Sequence, residues 1–207
     1  MQYQNLYLYK KMTSSSIYDC QESEKTDDGI KYFFLSEGKE EVLKAVHYMY
    51  SNKLNDTRVY NLGFGDYTID DDKFNDKVNT ANGDVYKVLN TVLFTIPRFF
   101  EKFPDSCLAV QGSDSNPDFY VNCKPTCTKG CIDICKKQDG RINAYNNFVN
   151  KNYDKLSKEY IFYGGIKTNE GVAVEEFVKG KKYDAILVVK KIIKFTLWKS
   201  KKKQRSE

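Results

Sequence analysis

The sequence predicts an α+β fold, a largely antiparallel sheet with two main helices on one face. Three observations predict it. Apolar and aromatic residues come in short runs separated by turn residues, as strands do. Only two stretches carry apolar residues at helical spacing. The strands come in runs rather than alternating with helices, which excludes an all-parallel arrangement. The 16 Tyr and 13 Phe among 207 residues add to the strand signal, because flat rings pack well on a pleated surface.

Taken in order, residues 3–9 (YQNLYLY) read as a first strand and 13–29 as a Ser-rich, acidic loop ending in Asp28-Gly29. Residues 30–36 (IKYFFLS) read as a strand. Residues 42–50 fit both periods, and their β-branched and aromatic residues favour a strand. A turn over 52–56 leads to a strand over 58–67 (RVYNLGFGDY). Residues 70–82 are polar. Val85, Val88, Leu89, Val92, Leu93 and Ile96 then form one apolar helical stripe, with Asn82 or Asp84 placed to cap it. Pro97 predicts a kink or a new turn. Residues 106–112 (SCLAVQG) read as a buried strand and 141–156 as the second helix. Residues 158–163 and 183–189 read as strands, with turns at Gly164-Gly165 and Gly180.

Residues 1–191 are expected to form one domain, with 114–140 as a Cys-rich insertion and 192–207 as a basic C-terminal tail. A chain of this length buries a core without disulfide staples. The net charge of +5 permits acidic partners without requiring them. The N-terminus lacks the pattern of a secretory signal. No apolar run approaches the roughly 18 residues of a membrane span. Cytoplasmic localisation follows as the expectation, and with it cysteines that are reduced or metal-bound.

YNLGFGDY (60–67), NGDVYKVLNTV (82–92), PDSCLAVQGSD (104–114), RINAYNNFVNKNY (141–153), LSKEYIFYGG (156–165) and KGKKYDAILVVKK (179–191) together resemble a family of small uncharacterised α+β proteins of bacteria and phages. The resemblance implies the fold and the origin, and it brings no reaction with it. The sequence departs from that pattern after Gly112-Ser113-Asp114, where the cysteine segment intervenes before the Arg141/Tyr145 helix.

Four features are candidates for function. Cys123, Cys127, Cys131 and Cys135 recur every fourth residue. Four thiolates are the ligand set of a structural zinc site or an iron–sulfur cluster, zinc being favoured. On a continuous helix the row would be too long for one ion, but Pro125 and Gly130 can break it. The competing readings are a reduced surface insertion without ligand and a segment without function. Gly112, Ser113, Arg141 and Tyr145 would converge at a strand end if the insertion loops out, giving a contact for an anion or phosphate. The competing reading pairs Arg141 with a loop acid and packs Tyr145 in the core. The tail, with Lys199, Lys201, Lys202, Lys203 and Arg205 beside Trp198, suits nucleic acid or a membrane surface, or serves only as a solubilising end. His47 is the single histidine, so histidine-based triads and multi-histidine metal sites lack material.

Function is therefore left open between three readings. One is a non-enzymatic binding or interaction protein with a protein partner. Another is a small enzyme acting on a phosphate-bearing or nucleic-acid substrate through Arg141, Ser113 and Asp66 or Asp84. The third is a structural zinc protein.

Overall fold

The computed structural model describes residues 16–191 except 24, 77–81, 117, 127–129 and 133–134. The predicted strand over 3–9 and the basic tail lie outside the described residues, as does Cys127. Nine strands form one mostly antiparallel sheet: β1 (Gln21–Glu22), β2 (Gly29–Ser36), β3 (Val42–Leu54), β4 (Thr57–Thr68), β5 (Lys73–Asn75), β6 (Ser106–Gln111), β7 (Tyr160–Thr168), β8 (Gly171–Glu176) and β9 (Ala185–Lys190). Among the described residues three α-helices accompany them: α1 (Val85–Lys102), the short α2 (Phe119–Cys123) and α3 (Gly140–Leu156). The order across the sheet is β1-β2-β3-β4-β6-β9-β7-β8, and β5 pairs with the far end of β4.

β2 to β4 form an antiparallel meander. Asn55 and Asp56 both take positive φ, 45° and 65°, the pair of left-handed residues that a tight two-residue hairpin needs. β3 therefore runs to Leu54, and the turn is narrower than the composition suggests. α1 then carries the chain across to β6, which pairs with β4 in parallel, from Arg58↔Ser106 to Leu62↔Val110. All other pairings are antiparallel.

Strand periodicity sorts the side chains by face. Ile30, Tyr32, Val46, Tyr48, Tyr60, Leu62, Leu108, Ile186 and Val188 share one core with Val88, Val92, Phe99 and Val149 of the helices. Helices thus cover one face. Val59, Cys107 and Val189 form a smaller cluster on the other face. There burial pushes the Cys107 thiol up to about 12, so it behaves as a small apolar core residue.

Two details depart from the sequence reading, and the structure decides between the alternatives at Pro97. α1 continues through Pro97 to Lys102, because its C-terminal rings Phe99 and Phe100 are fully buried and outweigh one missing backbone donor. Gly164-Gly165 is not a turn but lies inside β7. A Cβ at Gly164 would sit 2.0 Å from the Tyr183 ring, so glycine is there to admit that ring. The turn comes later, before Gly171, whose φ is +127°, and leads into β8. Finally, Asp84 precedes α1 without capping it through its side chain. Its carboxylate accepts from Tyr18 Oη at 2.8 Å and Ser36 Oγ at 2.6 Å instead.

Candidate functional site: a cleft where the sheet opens

The parallel pair β4/β6 ends at Leu62↔Val110, and β5 joins the same edge of β4 only from Asp66 onward. Between them Gly63 and Phe64 of β4 pair with β3 alone among the described residues. A cleft of about 450 Å³ opens there. Asn61 to Phe64 form its floor and Asp76 stands at the β5 side. Gly112, Ser113, Ser115 and Asn116 stand at the end of β6. Arg141 and Tyr145 of α3 and Lys167 of β7 complete the wall. Clefts at the carboxyl ends of parallel strands are where open sheets commonly bind ligands.

Gly112, Ser113, Arg141 and Tyr145, singled out from sequence, therefore line one cleft. The reason is local. After Gly112 the chain makes a single 3₁₀ turn, Ser113–Ser115. Asp114 in this turn accepts the Arg141 backbone N–H at 2.9 Å, and its own carbonyl accepts the Asp139 N–H at 3.3 Å. Asp114 thereby caps the start of α3 from a distance of 27 residues along the chain. The cap fixes where α3 begins and so where Arg141 stands. A Cβ at Gly112 would sit 2.6 Å from Asp114 Oδ1, so a larger residue there would push against the capping carboxylate.

Further along α3, Asn146 is fully buried. Its Nδ2 donates to Ile142 O at 2.9 Å and Tyr183 O at 2.8 Å, and its Oδ1 accepts from Tyr183 N at 3.2 Å. This amide pins α3 to the segment entering β9. Sequence reading missed Asn146 and the capping role of Asp114, although an Asn on the buried stripe Ile142–Tyr145–Val149 was the available signal for the first.

The electrostatics of the cleft are mixed. The Arg141 guanidinium makes no salt bridge or hydrogen bond among the described residues. Lys167 Nζ donates to the Ser115 carbonyl at 2.7 Å. Asp76 is the one carboxylate in the lining. Burial pushes the Asp114 carboxyl up, partly opposed by the Arg141 N–H and charge. Asp114 Oδ1 and Ser115 Oγ are both closed off from solvent without a hydrogen-bond partner among the described residues. Burial also raises the Tyr145 hydroxyl, which makes no hydrogen bond among the described residues. The Tyr145 ring meets Phe64 edge-on at 6.2 Å.

Asp66 and Asp84 do not join this lining. Asp66 pairs with the buried Lys44 at 2.6 Å, and Asp84 is held by Tyr18 and Ser36. His47 lies on the opposite face of the sheet against Phe74. In the cysteine segment, Cys123 and Cys135 bring their sulfurs to 3.6 Å, and Cys131 Sγ accepts the Lys136 N–H at 3.3 Å. Among the described residues no three His, Cys, Asp or Glu side chains gather as a metal site. Lys199, Lys201, Lys202, Lys203 and Arg205 lie outside the described residues.

A second cleft, of about 350 Å³ and mainly apolar, lies between α1 and α3. Leu62 and Tyr145 line both clefts. No helix among the described residues is long and apolar enough to cross a membrane.

The fold and cleft define an α+β protein with a strand-end cavity. The chain belongs to a family of unknown function (DUF6934), whose profile matches residues 14–118. That match takes in the sheet from β1 to β6, α1 and the Gly112–Ser115 turn, and ends before α2, the cysteine segment and α3. No curated protein and no solved structure matches the chain.

Proposed function

We propose that this protein is a binding module whose strand-end cleft takes a small phosphate-bearing molecule. The observation that carries the reading is Arg141, a guanidinium without an ion-pair partner among the described residues, facing the same cleft as Lys167 and the Gly112–Ser113 strand end. Arginine offers a planar fork of donors matched to phosphate oxygens. Two cations against one carboxylate, Asp76, leave the lining net positive.

Binding fits better than turnover. The enzymatic alternative needs Asp66 or Asp84 beside Arg141 and Ser113, and both carboxylates are engaged elsewhere. Ser113 has no histidine to activate it, since the single histidine lies on the other face.

Calorimetric titration with inorganic phosphate tests the reading. Arg141→Gln should weaken binding roughly 10- to 100-fold, the worth of a charged hydrogen-bond pair. Lys167→Met should weaken it less, because Lys167 also serves the Ser115 carbonyl. Absence of phosphate binding to the unaltered protein, or indifference to Arg141→Gln, would sink it.

A further inference from the structure

The two clefts differ in chemistry but share a wall. The strand-end cleft is polar, with Gln111, Ser113, Asn116, Arg141 and Lys167 on its surface and Asp76 opposing them. The cleft between the helices is lined by Leu89, Leu93, Ile96, Phe148 and Val149, over a floor of sheet residues. Ser16, Asn90, Asn152, Lys155 and Glu159 add polar groups. Leu62 and Tyr145 line both. A molecule seated at Arg141 therefore needs to pass only these two side chains to reach apolar surroundings. Tyr145 presents an apolar ring and a hydroxyl without a partner among the described residues, so it suits the boundary between a polar and an apolar group.

We propose that the ligand is an amphiphile: a phosphate monoester whose head lies at Arg141 and Lys167 and whose single apolar tail runs past Leu62 and Tyr145 between α1 and α3. This rests on the phosphate reading of the strand-end cleft. The tail is what the apolar cleft adds to it. Half-buried Leu89, Leu93, Ile96 and Phe148 leave apolar surface there that a tail would remove from water, and each methylene so buried strengthens binding. A single tail suits the modest volume of about 350 Å³, which lies near the lower end of small-ligand sites.

The test compares inorganic phosphate, octyl phosphate and octanol by calorimetry on the full chain. Octyl phosphate should bind at least about 100-fold more tightly than inorganic phosphate, as burial of several methylenes implies. Leu93→Trp, which fills the tail cleft, should reduce octyl phosphate to the affinity of inorganic phosphate and leave the latter unchanged. Arg141→Gln should weaken both. Octyl phosphate binding no better than inorganic phosphate would overturn the amphiphile while the phosphate site stood. Failure of both to bind would remove the phosphate site, and the amphiphile with it. Should Leu93→Trp not fold, Phe148→Trp combined with Trp198→Phe gives a second readout. Its emission should shift with octyl phosphate and not with inorganic phosphate, and an unchanged emission with both would overturn the tail site.

Discussion

The two ends of the helical layer are built differently. Where α1 lies on β3 and β4, the space is filled by rings. Phe99 stacks on Tyr48 at 4.6 Å, meets Tyr60 edge-on at 5.3 Å and stacks on Phe103 at 5.0 Å. Tyr48 Oη and Thr95 Oγ1 lie 2.6 Å apart in this contact, Thr95 also donates to Val92 O, and Tyr32 Oη, whose ring meets Tyr48 edge-on, is closed off without a hydrogen-bond partner among the described residues. Around α3 the strands part, two clefts open, and buried oxygens at Asp114 and Ser115 lack partners among the described residues. A densely packed region supplies stability, whereas a region where the sheet parts and clefts open is where a ligand finds room. In this chain the first region carries the second.

The largest effect should come from breaking the dense side. Phe99→Ala removes a fully buried ring with four aromatic neighbours and should cost about 3–5 kcal/mol in urea unfolding. A loss below about 1 kcal/mol would mean that the ring cluster is not the anchor inferred here. Asn146→Ala tests the join between the two sides. It leaves the Tyr183 N–H and carbonyl without their side-chain partner and should cost about 1–3 kcal/mol. Because Asn146 holds α3 in place five residues after Arg141, phosphate affinity should fall as well, in protein still folded at the temperature of measurement. Stability lost without any change in affinity would separate the cleft from its scaffold.

This contrast also explains what the sequence disclosed. The dense side was legible because its stripes, Val88–Val92 on α1 and the alternating residues of β2 to β4, are local patterns. Arg141, Tyr145, Gly112 and Ser113 could be singled out because a strand end and a helix start flank the cysteine segment. The gap in the sheet was not legible. It depends on β6 ending where β5 has not yet begun, a matter of register between segments some 40 residues apart. Nor was the role of Asp114, which caps a helix 27 residues further along the chain rather than next to it. β5 and β8 were missed because KFN and GVAVEE are short or charged edge strands, whose pairing comes from their neighbours rather than from propensity. The glycine pair Gly164-Gly165 suggested a turn. Only the Tyr183 ring, supplied from elsewhere in the chain, accounts for glycine there.

A smaller effect, and a sharper test of the open side, lies in Asp114. Burial raises its carboxyl in the folded state, so the folded protein favours the protonated form. The stabilising difference is then fully present below the unfolded aspartate value near 4 and is lost as pH rises through the folded value. Asp114→Asn should remove that pH dependence while keeping an oxygen to accept the Arg141 N–H. Asp114→Ala loses the cap and should cost about 1 kcal/mol at neutral pH. Equal stability of the Asn and Ala variants would show that the cap does not hold α3.

The smallest effect should come from His47, which bears on neither region. It lies on the face away from the helices, edge-on to Phe74 at 6.0 Å. Burial, helped by the charge of Lys31, lowers its imidazole below the usual value. A lowered folded value means that the unfolded chain takes up the proton first. Stability is then full above the unfolded value near 6.5 and falls as pH drops through the folded one. His47→Gln should flatten the stability profile across that window and leave phosphate affinity unaltered at every pH. A change in affinity would instead tie the outer face of the sheet to the cleft, and the separation of roles between the two faces would have to be redrawn.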